Sequence, residues 1–177
     1  TAIADILFGD YNPSGRLPLT FYKDIDQIPG FEDYSMKGKT YRYFEGKPLY
    51  EFGYGLSYTT FEYKVKEAPE TVKIGENVKL SVNVTNTGTR DGEEVLQLYV
   101  ALPESELRKP IRSLQGFKRV FLKAGETKTV DFELKPSQMA GRDIDNIAVL
   151  KEGNILVAVG GKQPDEQRKK HNRSHER

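Results

Sequence analysis

Hydrophobic and polar residues alternate strictly along residues 78–85, and this period of two limits the possible folds more than any other feature of the chain. Successive side chains of a β-strand point to opposite faces of a sheet, so the pattern predicts a strand with one face in a core and the other in water. The sequence Asn86-Thr87-Gly88 then predicts a turn. The apolar members of the set are Val78, Leu80, Val82 and Val84.

Further strand patterns follow, separated by turn signals. Residues 95–100 are apolar at nearly every position, which predicts a strand buried on both faces. Residues 117–122, 130–134 and 155–159 are also strand-like, and no helical period lies between them. Short strands with regular turns predict an all-β, antiparallel β-sandwich over residues 59–161, a length typical of immunoglobulin-like sandwiches.

The distribution of cysteine and histidine excludes several kinds of site. The 177 residues include no Cys and two His, which stand at His171 and His175. Residues 1–161 therefore cannot form a Ser-His-Asp triad, a cysteine nucleophile or a metal site built from His or Cys, and no metal or cofactor is predicted. The net charge of +1 does not favour nucleic acid or an anionic membrane as a partner.

Residues 1–58 have no clear hydrophobic period. The apolar run Ala2–Phe8 predicts the end of a helix that Gly9 terminates. Residues 17–21 predict a short strand, in which Pro18 is tolerated only at an edge or near the start. Long stretches without regular structure, such as the one after Tyr22, are uncommon in a compact domain unless they pack on something else. The apolar residues of the first segment are expected to fold onto the sandwich, pair with another chain or stay mobile.

The two ends of the chain carry further signals. Thr1–Asp5 contains neither an initiator Met nor a basic leader, which predicts an internal piece of a longer protein. Residues 162–177 are almost wholly polar and cannot bury enough apolar surface to offset the entropy of ordering, so a disordered tail is predicted there.

Two long motifs resemble glycoside hydrolase family 3. Residues 4–21, ADILFGDYNPSGRLPLTF, are similar to the end of that family's α/β sandwich domain. The motif YRYF at 41–44, followed by PLYEFGYGLSYTTF at 48–61, resembles the link into its fibronectin type III-like domain. The resemblance implies a domain division: residues 1–58 as the tail end of the α/β domain and interdomain linker, and 59–161 as the fibronectin type III-like sandwich.

The family resemblance also implies a role. A retaining glycosidase needs two carboxylates, one as nucleophile and one as acid and base. In the family both belong to domains upstream of this region, so no catalytic residue is predicted here. The expected partners are the upstream catalytic domains of the same enzyme and, through that enzyme, β-linked glycosides of the β-glucosidase or β-xylosidase type. A periplasmic or secreted location is expected from the habit of the family.

The candidate site residues lie before the sandwich and are mostly aromatic. Aromatic rings stack on sugar faces but more commonly bury area between domains. The substrate-proximal candidates are Tyr41, Arg42, Tyr43 and Phe44. The interdomain packing candidates are Phe8, Leu17, Phe21, Tyr50, Phe52, Tyr54 and Tyr58.

Two hypotheses follow for the function. In the first, the chain is a C-terminal accessory module of a family 3 glycoside hydrolase and has no activity alone. In the second, it is a stand-alone carbohydrate-binding or adhesion sandwich, a common non-enzymatic use of such folds. The absence of Trp counts against a dedicated carbohydrate-binding face.

Overall fold

A computed structural model describes residues 2–102 and 109–164 of the chain. The described strands between residues 61 and 160 form an antiparallel β-sandwich, so the predicted fold class is confirmed. The strands are β1 (Phe61–Glu67), β2 (Val78–Asn86), β3 (Gly92–Ala101), β4 (Ser113–Leu122), β5 (Thr127–Leu134), β6 (Gly141–Arg142), β7 (Ala148–Val149) and β8 (Leu156–Gly160).

The described strands form two main sheets and a small ribbon. One sheet has the order β1-β2-β5 and the other the order β4-β3-β8, with every pairing antiparallel. β6 and β7 form a short hairpin beside them. β3 is thus the central strand of the second sheet, and β4 and β8 are its edges.

The core lies between the two sheets. The alternation in β2 is confirmed, because Leu80, Val82 and Val84 are buried while the residues between them are at least partly exposed. β3 supplies the facing layer and β5 completes the first sheet. The buried side chains from these two strands are Leu96, Leu98, Val100, Val130, Phe132 and Leu134.

β3 is buried on both faces, as its sequence predicts. Its second face, which carries Gln97 and Tyr99, is covered by the segment before the sandwich. We call residues 12–58 the strap. Its backbone and side chains lie across this face as a third layer. This layer explains why β3, a strand of a two-sheet sandwich, has no exposed face.

The segment before the sandwich contains little regular structure. Helix α1 (Ala2–Leu7) forms as predicted, and Gly9 follows it with a φ of +83°. A second short helix, α2 (Thr40–Tyr43), and a 3-10 turn at Ile25–Gln27 are the other described helical elements before the sandwich.

The strand predicted at residues 17–21 does not form. Only a single bridge joins Phe21 to Tyr50, although Leu17 exchanges backbone hydrogen bonds with Tyr54 and Gly53 nearby. Pro18 has no N–H to donate, so the ladder is interrupted immediately after its first residue.

The predicted tail begins later than residue 162. The N–H of Gln163 donates to the carbonyl of Phe52 at 3.2 Å, and the Gln163 side chain is buried. The Lys162 ammonium lies 3.3 Å from the Glu51 carboxylate. Residues 162–164 therefore lie against the strap, while the prediction for 165–177 falls outside the described residues. None of the described helices is both long and apolar enough to span a membrane.

Candidate functional site at the strap

Tyr41, the first substrate-proximal candidate, joins the strap to the sandwich. Its ring stacks on Phe52 with centroids 4.1 Å apart and meets Tyr99 of β3 edge-on at 6.1 Å. Its hydroxyl accepts a hydrogen bond from the N–H of Leu114 at 3.1 Å. These contacts engage both the ring and the hydroxyl, so Tyr41 is a packing residue of this interface.

The other three substrate-proximal candidates, Arg42, Tyr43 and Phe44, make different contacts from Tyr41. The carbonyl of Arg42 accepts a 2.8 Å hydrogen bond from the N–H of Ile111. The Arg42 guanidinium is 3.5 Å from the Ser113 hydroxyl and 5.8 Å from the centre of the Tyr43 ring. Arg42 and Tyr43 line one cavity together, whereas Phe44 contacts Tyr22 edge-on at 4.9 Å. Contact of these residues with a substrate stays a prediction.

The seven interdomain packing candidates divide into two groups. Leu17, Phe52 and Tyr54 are partly buried within the strap itself. The other four leave much of the side chain exposed, with Phe8 at 84% and Tyr58 at 46%. The exposed group is Phe8, Phe21, Tyr50 and Tyr58.

Helix α1 adds to this exposed apolar surface. Ile3 and Leu7 are 75% and 74% exposed, and no residue of the helix is buried. Near the end of the helix, the Tyr58 hydroxyl donates to the carbonyl of Ile6 at 2.7 Å and connects the helix to the start of the sandwich. Several large apolar side chains exposed in one segment are typical of a region that packs against another protein surface.

A buried ion pair between strap and sandwich was missed in the sequence. The Arg16 guanidinium lies 2.6 Å from the Glu94 carboxylate, and their side chains are 12% and 1% exposed. Two glycines make room for the pair. A methyl group on Gly55 would lie 2.5 Å from Arg16, and one on Gly161 would lie 2.6 Å from Glu94.

The alternation of inward and outward residues in β3 could have identified one member of this ion pair, Glu94. Glu94 shares the inward-facing register of Leu96 and Leu98 in β3, where a charge is costly unless it is paired. The alternation therefore marks Glu94 as a residue that requires a buried cation. The identity of that cation does not follow, because Arg16 is 78 positions away along the chain.

A second polar network fastens the strap to the other face of β3. Gln97 Nε2 donates to the carbonyls of Gly53 at 3.1 Å and Gly161 at 2.7 Å, and its Oε1 accepts from the Tyr99 hydroxyl at 2.6 Å. Gly53 has a φ of +80°, and a Cβ there would lie 2.0 Å from Gln97 Oε1. Only glycine satisfies both the backbone angle and the close approach.

Asn12, in the first family-like motif, organises a third junction. Its Oδ1 accepts from the Ser57 hydroxyl at 2.9 Å and the Tyr58 N–H at 2.8 Å, while its Nδ2 donates to the carbonyl of Asp91 at 3.0 Å. One side chain thus connects the two ends of the strap to the turn before β3. The motif has a structural role in holding the strap on the sandwich.

The buried tyrosines make the fold sensitive to alkaline pH. Burial, with the nearby Glu94 carboxylate as the second cause, raises the pKa of Tyr63 well above its ordinary value, and burial also raises the pKa of Tyr99. Their hydroxyls stay neutral in the folded chain at pH values where the unfolded chain ionises. Their contribution to stability is therefore complete below a pH of about 10 and is lost as the pH rises further.

We expect the free energy of unfolding to fall steadily as the pH rises from about 10 to about 11. The double variant Tyr63→Phe/Tyr99→Phe should show a shallower fall, because two of the groups responsible are gone. Urea unfolding followed by circular dichroism at each pH measures this slope. Tyr34→Phe, at an 89% exposed position, is the control and should leave the slope unchanged. An unchanged slope in the double variant would contradict the assignment.

The described residues offer no evident centre for metal chemistry. Within 2–102 and 109–164, no three Asp, Glu or His side chains are grouped so that they could hold a metal ion. Two ion pairs lie near the strap instead: Arg16 of the strap pairs with Glu94 of β3, and Arg119 of β4 pairs with Glu93 of β3.

Comparison with known families divides the chain at the strap. Residues 1–58 match the glycosyl hydrolase family 3 C-terminal domain. Residues 94–163 match the fibronectin type III-like domain. These two regions occur in the order that the motifs predict.

The curated relatives are much longer than the chain. A xylan 1,4-beta-xylosidase of Xylanibacter ruminicola is 46% identical over 173 residues, which are 96% of this chain and 20% of that protein. A periplasmic beta-glucosidase of Salmonella typhimurium is 44% identical over 75% of this chain and 19% of that protein. The chain thus spans about a fifth of the length of these relatives.

Solved structures of β-glucosidases also match the chain over about a fifth of their length. The beta-glucosidase of Kluyveromyces marxianus in complex with glucose superposes with a TM-score of 0.81 and 34% identity, over 93% of this chain and 21% of that one. A β-glucosidase of Erythrobacter marinus gives a TM-score of 0.78 and 39% identity over 92% and 22%. The chain belongs to glycoside hydrolase family 3, and its matched regions are the family's C-terminal domain and a fibronectin type III-like domain.

Proposed function

We propose that the chain is the C-terminal accessory module of a retaining β-glycosidase of the β-glucosidase or β-xylosidase type, and that it has no activity alone. The observation that supports this most directly is the exposed apolar surface of α1 and the strap, with Phe8 at 84% and Leu7 at 74% exposure. Such a surface requires a partner, and the catalytic domains of the same enzyme are the partner that we propose.

The attachment of the strap supports a scaffold role. Its sandwich-facing side is held by the Arg16–Glu94 pair and by Gln97, whose two donor hydrogen bonds reach Gly53 and Gly161. The strap also carries Phe21 and Tyr50, which remain 42% and 41% exposed. A strap fixed to the sandwich and carrying exposed aromatic rings can transmit the rigidity of the sandwich to a neighbouring domain. The two catalytic carboxylates would come from that neighbour.

We also propose a periplasmic or secreted location for the enzyme. The support is the periplasmic beta-glucosidase of Salmonella typhimurium, with 44% identity over 75% of the chain. Cell fractionation of the source organism, with antibody detection of the sandwich, tests this location.

The absence of activity in the isolated chain is directly testable. Incubated with p-nitrophenyl β-glucoside and p-nitrophenyl β-xyloside, the 177-residue chain is expected to release no p-nitrophenol above the buffer rate. The reason is that a retaining mechanism needs two carboxylates held at a fixed separation across a sugar site. Absorbance of the released phenolate gives the rate.

The full-length gene product is the matched positive control and is expected to hydrolyse at least one of the two substrates. Turnover by the isolated chain that follows the protein through two different chromatography steps would contradict the accessory role. A full-length product inactive on both glycosides would contradict the proposed enzyme class.

A further inference from the structure

A cavity of about 230 Å³ lies where the strap meets one end of the sandwich. Helix α2 provides Arg42 and Tyr43, β4 provides Ser113 and Gln115, and β6 provides Arg142. The cavity is therefore built from three separate parts of the chain that come together only in the folded molecule.

The described residues that line this cavity carry positive charge and no negative charge. The lining residues that the structure describes include two guanidinium groups, Arg42 and Arg142, and no Asp or Glu. Among the described residues neither arginine forms an ion pair. Arg142 Nη1 donates to the carbonyl of Asn146 at 2.9 Å, and Arg42 reaches the Ser113 hydroxyl at 3.5 Å. Both groups keep further N–H donors for a ligand, since each guanidinium has five.

Asn146 itself indicates that the position of Arg142 is specified. It adopts a φ of +63°, which is uncommon for a residue other than glycine. Two hydrogen bonds hold this turn, from the Asn146 N–H to the Asp143 carbonyl at 3.1 Å and from the Ile147 N–H to Asp143 Oδ1 at 2.7 Å. The turn thereby presents the Asn146 carbonyl to the Arg142 guanidinium and orients it.

The remaining polar groups in the lining suit hydroxyl-bearing ligands. The hydroxyls of Tyr43 and Ser137 have no hydrogen-bond partner within residues 2–102 and 109–164, and the Gln115 amide keeps its N–H donors. The volume is smaller than the several hundred Å³ typical of drug-sized sites, so it suits a ligand about as large as one sugar ring.

We propose that this cavity, which we call the two-arginine cavity, binds the carboxylate of an acidic sugar, a hexuronic acid or a uronic acid substituent of a longer glycan. A guanidinium matches a carboxylate through two parallel hydrogen bonds, which gives orientation as well as attraction. The choice of a sugar over another small anion rests on the proposed function, whereas binding of an anion does not.

Titration of the 177-residue chain with D-glucuronate, followed by two-dimensional NMR of its amides, tests the proposal. We expect saturable shifts confined to residues around Arg42, Gln115 and Arg142, with a dissociation constant of about 1 mM or tighter. D-glucose, which has the same ring without the carboxylate, should bind at least about tenfold more weakly, since a hydrogen-bonded charge contributes that much.

Variants identify the two arginines. Arg42→Gln and Arg142→Gln should each weaken glucuronate binding by about tenfold. Added salt should also weaken glucuronate binding to the wild-type chain, because it screens the attraction between the charges. Lys73→Gln removes the same charge at an exposed position between β1 and β2 and should change nothing. Circular dichroism shows whether each variant is folded.

Three results would overturn the proposal. The first is the absence of saturable glucuronate binding by the folded wild-type chain. The second is equal affinity for glucuronate and glucose, which would remove the role of the carboxylate. The third is binding of inorganic phosphate tighter than glucuronate, which would make the cavity an oxyanion site without a sugar preference. Each result is independent of the glycosidase assays, so failure here leaves the accessory role standing.

Discussion

Replacing Glu94 with alanine is expected to lower the free energy of unfolding by about 3 to 5 kcal/mol, because it leaves a buried guanidinium without its countercharge. Glu94 is 1% exposed and its partner Arg16 is 12% exposed, so water cannot solvate the orphaned group without opening the interface. Guanidinium chloride unfolding of the chain, followed by circular dichroism, measures the loss.

The neighbouring residue provides a matched control. Glu93 pairs with Arg119 at 2.8 Å, nearly the same distance, but the two side chains are 37% and 52% exposed. Glu93→Ala should therefore cost less than about 1 kcal/mol. Equal losses at the two positions would show that burial does not govern the strength of the Arg16–Glu94 pair.

A double replacement separates charge from packing. Arg16→Met combined with Glu94→Leu removes both charges and keeps most of the volume, so it should retain more stability than Glu94→Ala alone. If the double variant is less stable than Glu94→Ala, the ion pair stabilises the fold more than apolar side chains of similar volume do.

Gly53→Ala is expected to lower the free energy of unfolding by about 2 to 4 kcal/mol. The left-handed backbone at φ +80° costs a non-glycine residue about 1 to 2 kcal/mol. The new methyl group would also lie 2.0 Å from Gln97 Oε1, so the Gln97 side chain must move and lose hydrogen bonds that hold the strap. The same unfolding measurement applies.

Gly75→Ala isolates the backbone contribution. Gly75 has a φ of +90°, and a methyl group there would meet no described atom within 4 Å beyond its chain neighbours. The expected cost is therefore only that of the backbone angle, about 1 to 2 kcal/mol. If both glycine variants lose the same stability, the contact with Gln97 does not contribute, and the network at β3 does not hold the strap as described.

Local periodicity predicts the sandwich well, because a strand's alternation reports directly which side chains face the core. β2 and β5 keep the predicted faces, and the predicted double burial of β3 is also present. The apolar pattern of β3 does not reveal what covers its second face. The covering side chains, Tyr41 and Phe52, belong to the strap. The strap has no hydrophobic period from which their orientation could be predicted.

The short strand at 17–21 shows a limit of pattern reasoning. Its composition favours a strand, but its partner would be the backbone near Tyr50 and Tyr54, which turns at Gly53. Together with the missing N–H of Pro18, this leaves only isolated hydrogen bonds. Strand pairing depends on the backbone conformation of the partner segment, which the sequence of residues 17–21 does not reveal.

The two ion pairs of β3 show a similar limit at the level of side chains. The alternation of β3 places Glu94 on the core face, where it is 1% exposed, and Glu93 on the opposite face, where it is 37% exposed. Which cation each one meets depends on the path of the strap. Arg16 and Ser14 are only two residues apart, yet they contact opposite faces of β3 through Glu94 and Glu93.

The closing contact between Phe52 and Gln163 has a consequence for biosynthesis. The adjoining pair Glu51–Lys162 spans 111 positions, and Gln97 reaches Gly161 across 64. A ribosome makes the strap long before it makes these last partners, so the strap leaves the exit tunnel with part of its docking surface still unsynthesised. Because long-range contacts form late and slow folding, seating of the strap should be among the final events of maturation.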